Sequence, residues 1–136
     1  EGLRRVVANS ENAPAGSGLT PRLYRRLRDA GVGLFTLGDH VYKKLDIVET
    51  LLREERVCKP ANFPPEAPGR EYALAHGADG TPVAVFSVLG RTYMRPADCP
   101  FRAADRVLKQ LEGVAKVIIV DVHAEVTSEK IAMGWY

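Results

Sequence analysis

Three apolar segments of this sequence run directly into side chains that can bind a metal ion or transfer a proton. Residues 5–8, 34–37 and 117–120 have strand-type composition, and a carboxylate, an amide or an imidazole follows each within a few residues. In an open α/β sheet, ligands bind at the carboxyl ends of the strands. If these segments are strands, the side chains that follow them should share one site. The candidate residues are Glu11, Asn12, Asp39, His40 and His123.

The chemical types of these residues indicate a site for divalent metal ions. Mixed nitrogen and oxygen donors suit Mn, Fe or Zn better than the all-thiolate set of a structural zinc site. A bridging carboxylate can hold two ions about 3.5–4 Å apart, which is the spacing of hydrolytic two-metal sites. Each residue also has a structural interpretation that the pattern leaves open. These are a turn cap for Glu11, a helix cap for His40 and a hydrogen-bonded core histidine for His123.

The elements that would position these residues alternate along the chain. Hydrophobic periodicity and turn residues predict one α/β domain with right-handed β-α-β crossovers and a hairpin turn at Asp79-Gly80. Three prolines in 59–65 predict an extended connector there. The predicted strands are 3–8, 32–37, 72–76, 82–89 and 114–120, the predicted helices are 20–30, 41–54, 100–112 and 128–133, and 12–18 is a predicted loop.

Some of these elements also carry a burial prediction. Strand 114–120 is the most apolar and is expected to be a central parallel strand that is covered on both faces. Helical spacing predicts that helix 41–54 buries Val41, Leu45, Val48 and Leu52. The same spacing predicts that helix 100–112 buries Phe101, Ala104, Leu108 and Leu111.

Composition limits the class of protein. The chain has 136 residues, 46% of them hydrophobic and 26% charged, which is typical of one soluble domain. A net charge of +2 is too small to imply a nucleic-acid or membrane partner. Two cysteines without framework spacing, no signal-peptide pattern and no apolar run of about 18 residues favour the cytoplasm.

Two basic features have simple interpretations. Four arginines of the first predicted helix, at 22, 25, 26 and 28, are interpreted as a solvated outer face. A nucleic-acid site is the weaker interpretation, because only Tyr24 offers an aromatic ring for stacking among them. His76, at the edge of the predicted hairpin, is interpreted as a surface histidine.

Several short segments together carry a more specific signal. They read N-S-E-N-A at 9–13, G-D-H at 38–40, K-P-A-N-F-P at 59–64, G-R-T at 90–92, D-V-H-A-E-V-T-S-E-K at 121–130 and G-W-Y at 134–136. Their order and spacing resemble the bacterial YmdB-type branch of the calcineurin-like metallophosphoesterases across essentially the whole chain.

The resemblance implies a fold and an activity. The fold would be an αββα sandwich of two mixed sheets flanked by helices, with metals at the strand ends. The activity would be that of a phosphodiesterase or phosphatase that acts on small phosphate esters, cyclic nucleotides among them. Two divalent ions would bind there, and a metal-bound hydroxide would be the nucleophile.

The resemblance also assigns roles to individual residues. Glu11 would bridge the two ions, and Asn12 and His123 would be metal ligands. Asp39 stands where the family has a metal-binding asparagine. His40 would donate a proton to the leaving oxygen or stabilise the transition state.

Two departures from the family pattern modify these expectations. The carboxylate of Asp39, in place of an asparagine, should tighten cation binding and repel an anionic phosphate. The family's opening G-D-x-x-G strand and its later G-T-H-T-H segment, which carry an aspartate and two histidine ligands, have no counterpart. We therefore expect 1–136 to be a single, incomplete domain of a longer protein, inactive on its own.

Both departures also favour an alternative function. A catalytically inactive homologue would keep the fold and serve as a metal-free binding or structural module. An incomplete sandwich would also expose apolar edges, so self-association into a homo-oligomer is expected.

Overall fold

The computed structural model describes residues 6–13 and 17–136, and within them the chain alternates strands and helices. The strands are β1 (Val6–Asn9), β2 (Val32–Thr36), β3 (Val57–Cys58), β4 (Ala73–His76), β5 (Pro82–Leu89) and β6 (Val117–His123). The helices are α1 (Pro21–Asp29), α2 (Ile47–Arg53), α3 (Pro100–Leu111) and α4 (Thr127–Trp135). The predicted strand 3–8 and loop 12–18 lie partly outside the described residues.

The strands form two three-stranded sheets. The first has the order β1-β2-β3 and is parallel in its described strands. The second has the order β4-β5-β6 and is mixed, because β4 pairs with β5 antiparallel and β6 pairs with β5 parallel. Leu34 and Cys58 of the first sheet pack with Ala73 and Val85 of the second. The two sheets therefore lie face to face.

Alternation along the strands explains how both faces of each sheet are covered. Leu34 faces the other sheet, whereas its neighbour Phe35 packs against α1 and α2. Val85 likewise faces the first sheet, whereas Phe86 packs against α3. Successive strand side chains point to opposite faces, so each sheet buries one face on its helices and the other between the sheets. The αββα sandwich is confirmed.

Local signals explain several boundaries. Thr20 caps α1, because its Oγ1 accepts a hydrogen bond from the Leu23 backbone nitrogen at 3.3 Å. Pro21 occupies the first turn, where its missing N–H is harmless. The β4–β5 hairpin is confirmed, and Gly80 takes the left-handed conformation of its turn at φ 79°.

The predicted helix 41–54 is wrong in its first half, where hydrogen-bonded turns replace helix. The nitrogens of Val41 and Lys43 bond to carbonyls three residues earlier. Because the helix begins only at Ile47, its buried positions are Ile47 and Leu51. The predicted stripe is therefore wrong for Leu45 and Leu52, which are 74% and 61% exposed.

Two further burial predictions need correction. Within the described residues β6 pairs with β5 alone and is an edge strand, and Val117 and Ile119 are partly exposed. Its apolar composition matched a central strand, but composition does not fix a strand's place in a sheet. In α3 the buried residues include Val107, whereas Leu108, predicted to be buried, is 40% exposed.

No helix in the described part of the chain combines the length and the apolar character that crossing a bilayer requires.

Candidate metal centre

Three strand ends bring their polar side chains to one point. Glu11 follows β1, Asp39 follows β2, and His123 is the last residue of β6. One ligand atom from each of these residues lies within 4.8 Å of the others. Strands β1, β2 and β6 thus end at the same edge of the sandwich. The first two are parallel neighbours in the first sheet, and β6 is the edge strand of the second.

Glu11 lies at the centre of the cluster and is 1% exposed. Its Oε1 accepts a hydrogen bond from the His40 backbone nitrogen at 3.0 Å and lies 2.9 Å from His40 Nδ1. Its Oε2 lies 2.8 Å from His123 Nδ1. Burial raises the pKa of Glu11 despite these partners, because the charged form loses its hydration. The contacts fix the carboxylate and commit Nδ1 of both imidazoles.

Asp39 supplies the second carboxylate. Its Oδ1 lies 3.1 Å from His40 Nδ1 and 3.8 Å from His123 Nε2. Hydrogen bonding with the carboxyl of Glu11 lowers the pKa of Asp39. The buried Oδ1 of Asp39 forms no hydrogen bond of good geometry with the described residues, although His40 Nδ1 lies 3.1 Å away. A buried carboxylate oxygen without a donor is costly unless a cation compensates it.

The donor set fits a divalent transition-metal ion. Two carboxylates and an imidazole are typical ligands of Zn, Mn or Fe. Since Nδ1 of His123 is committed to Glu11, its Nε2 remains available as a ligand, 3.8 Å from Asp39 Oδ1. That separation suits two ligands that each lie about 2.0–2.2 Å from one ion.

Gly38 allows this close approach. A Cβ at residue 38 would overlap the carboxylate of Glu11 and would lie 2.7 Å from His123 Nδ1. Only a residue without a side chain lets the end of β2 lie against these two groups. The glycine at the head of the G-D-H segment is thus required by packing.

A hydrogen-bond network under the site ties the strand ends together. Asp121 Oδ2 accepts from Thr36 Oγ1 at 2.6 Å and from Asn9 Nδ2 at 2.8 Å. It therefore links β6 to both strands that deliver the carboxylates. Sequence reasoning did not assign this role. The available signal was the spacing of Asp121 and His123, because residues two apart on a strand project from the same face.

The proline-rich connector is held by two buried polar side chains. Lys59 is 1% exposed and its Nζ donates to the carbonyls of Pro64 at 2.8 Å and Ala67 at 2.6 Å. Burial lowers the pKa of Lys59. Asn62 is fully buried and bonds to both backbone groups of Leu89. These residues of the K-P-A-N-F-P segment have a structural role that sequence reasoning missed.

Two more of the motif segments contact each other. Glu129 of α4 accepts hydrogen bonds from the backbone nitrogens of Arg91 at 2.9 Å and Thr92 at 3.2 Å. A Cβ at Gly90 would overlap the Glu129 carboxylate and crowd Ala124. The G-R-T and S-E-K segments are therefore joined by this glycine and this acid.

The remaining candidates lie at the surface. Asn12 is exposed, and its role as a ligand stays a prediction. His76 is exposed, as its surface interpretation requires. Three of the four arginines of α1 are exposed, as expected for a solvated face, while Arg28 is half-buried and lies 3.8 Å from Glu54.

Comparison with known proteins identifies relatives of the whole chain. A family model described as YmdB-like protein matches residues 1–136. The "2',3'-cyclic-nucleotide 2'-phosphodiesterase" of Bacillus subtilis (strain 168) is 38% identical over 131 residues, which is 96% of this chain and 49% of that protein.

Solved structures show the same fold. A hypothetical protein from Thermus thermophilus superposes with a TM-score of 0.88 at 43% identity, over 98% of this chain and 52% of that one. A phosphatase from Mycoplasma pneumoniae gives a TM-score of 0.82 at 28% identity, over 96% and 48% of the two chains. The chain thus spans about half the length of the relatives it matches.

Proposed function

This chain belongs to the YmdB-like protein family, and we propose that it forms part of a metal-dependent phosphoesterase. The observation that carries the proposal is the convergence of Glu11, Asp39 and His123, with a buried carboxylate oxygen that forms no hydrogen bond of good geometry among the described residues. The Bacillus subtilis relative, named as a cyclic-nucleotide phosphodiesterase, supports a small phosphodiester as substrate.

Two divalent ions, Mn, Fe or Zn, are proposed as cofactors. Glu11 would bridge them, and Asp39 and His123 would be ligands, with Asn12 as a further proposed ligand. When bound, the ions would neutralise charge on the phosphoryl oxygens and lower the pKa of the attacking water. The described residues supply only part of a two-metal ligand set, so activity is proposed for a protein that includes further ligands.

His40 is the proposed proton donor. Its Nδ1 lies 2.9 Å from Glu11 Oε1 and 3.1 Å from Asp39 Oδ1, so this nitrogen faces two carboxylates and holds its hydrogen there. These contacts orient the ring, and in its imidazolium form Nε2 would donate a proton to the leaving oxygen. General acid catalysis of this kind contributes about 10²–10⁴-fold.

The test uses the full-length gene product, including any sequence that flanks residues 1–136. Metal content and hydrolysis of a 2',3'-cyclic nucleotide are measured for wild type, His123→Ala and His40→Gln. Loss of metal and turnover is expected in His123→Ala. Loss of turnover with metal retained is expected in His40→Gln. The exposed His76→Ala is the matched control and should match wild type.

One observation favours the inactive-homologue alternative, namely the extra carboxylate of Asp39 beside Glu11. The two carboxylates place negative charge where an anionic phosphate would bind. A protein that binds no metal and hydrolyses no phosphate ester would support that alternative.

A further inference from the structure

A cleft of about 420 Å³ opens beside the candidate metal centre. Its lining includes Asp39, His40, Tyr42, Phe63 and Arg95. The volume falls in the range of small-molecule sites. An aromatic wall and a cation therefore lie next to the proposed proton donor.

The aromatic wall consists of Tyr42 and Phe63. Their ring centroids are 6.0 Å apart with an interplanar angle of 24°. The Tyr42 hydroxyl donates to the Pro68 carbonyl at 2.6 Å, and burial raises the pKa of Tyr42 to about 12. The hydroxyl is thus committed to the backbone, and the ring serves as an apolar contact surface.

The position of Phe63 is fixed by its own loop. The hydrogen bonds from Lys59 to the carbonyls of Pro64 and Ala67 hold the chain that follows Phe63. The Phe63 nitrogen itself donates to the Pro60 carbonyl at 3.1 Å. A wall fixed before binding loses little conformational entropy when a ligand contacts it.

Of the two cationic side chains that line the cleft, Lys43 donates to Ser17 Oγ at 2.6 Å, and Arg95 is the more available for a ligand. Its side chain is exposed, and no described carboxylate forms an ion pair with it. A guanidinium is suited to bidentate contact with phosphate oxygens. An anion in the cleft would also be close to Asp39, which is proposed to hold a metal ion.

We propose that this cleft binds the nucleoside part of a phosphate ester, with the base against the Tyr42–Phe63 wall and Arg95 on the phosphate. The proposal rests on the phosphoesterase function proposed above and assigns substrate preference to these residues. A substrate without a flat aromatic group would contact Arg95 but would gain nothing from the wall.

The test compares two cyclic phosphodiesters, one with a base and one without. Turnover of a 2',3'-cyclic adenosine nucleotide and of glycerol cyclic phosphate is measured for wild type, Phe63→Ala and Arg95→Ala. Phe63→Ala should lower kcat/KM about tenfold for the nucleotide alone, as expected for one lost ring–base contact. Arg95→Ala should lower kcat/KM for both esters. Arg53→Ala, which removes another exposed arginine, is the control.

A binding measurement separates this proposal from the catalytic one. Calorimetry with Mn²⁺ present measures the affinity for adenosine monophosphate and for glycerol phosphate, whether or not turnover occurs. Phe63→Leu keeps the apolar volume, so a folded variant remains for comparison. Weaker binding of the nucleotide alone in Phe63→Leu supports the cleft even in an inactive protein. An equal decrease in affinity for both ligands in Phe63→Leu overturns it. Equal affinity of the wild type for adenosine monophosphate and glycerol phosphate also overturns it.

Discussion

Replacing Gly38 by alanine tests whether close packing sets the geometry of the candidate metal centre. Gly38 does not have a positive φ, so alanine is not opposed by backbone strain. The obstacle is the Glu11 carboxylate, which a Cβ would overlap, and His123 Nδ1 at 2.7 Å. Glu11 is 1% exposed and held by both imidazoles, so it has no free space into which it can move.

The expected cost has two parts. Overpacking a buried position lowers the free energy of unfolding by about 1–3 kcal/mol. Displacing the Glu11 carboxylate should also weaken binding of Mn²⁺ by about 10–100-fold, the range found when the surroundings of metal ligands are disturbed. Chemical unfolding measures the first effect, and calorimetric titration with Mn²⁺ measures the second.

Gly134→Ala is the matched control for this substitution. Gly134 lies in α4, and a Cβ there would meet no atom within 4 Å. Alanine should therefore stabilise the helix by about 0.5–1 kcal/mol and leave Mn²⁺ affinity unchanged. If Gly38→Ala has the free energy of unfolding and the Mn²⁺ affinity of the wild type, the packing argument for this centre is refuted.

Three further predictions concern other described residues. Asp39→Asn should weaken Mn²⁺ binding, because it removes a carboxylate charge from the centre, and an unchanged affinity in calorimetry would contradict this. Lys59→Met should lower the free energy of unfolding by about 2–4 kcal/mol, because buried carbonyls lose their donor, and a value near zero in urea titration would contradict this. Tyr24 donates to Glu54 Oε2 at 2.9 Å, and burial raises its pKa from 10.0 to about 12. The folded state holds this proton more tightly than the unfolded state does. The stabilisation by the Tyr24 hydroxyl is therefore fully present below pH 10. That contribution should fall by about 1.4 kcal/mol per pH unit up to pH 12, and Tyr24→Phe should lose less stability over the same window.

Local chemistry made much of the fold predictable from the sequence. Thr20-Pro21 predicted the start of α1, and Asp79-Gly80 predicted the hairpin, because these residue types fix nearby backbone geometry by themselves. The first half of the predicted helix 41–54 was wrong for a related reason. Its apolar spacing matched a helix, but the chain leaving Gly38 closes successive turns before a helix begins.

The sequence by itself determined which side chains end the strands, and therefore that Glu11, Asp39 and His123 were candidates for one site. Strand ends can be read from residue order, because apolar runs and their polar termini are local features. Only the tertiary structure decided that β6 is an edge strand of a second sheet among the described residues and that Asp121 joins it to the first. It also decided that Gly38 lets Glu11 and His123 approach the end of β2 and that Lys59 and Asn62 hold the connector. The partners of Gly38 and Asn62 are distant in sequence, and those of Lys59 lie where the connector folds back on itself, so none of these contacts can be read from residue order.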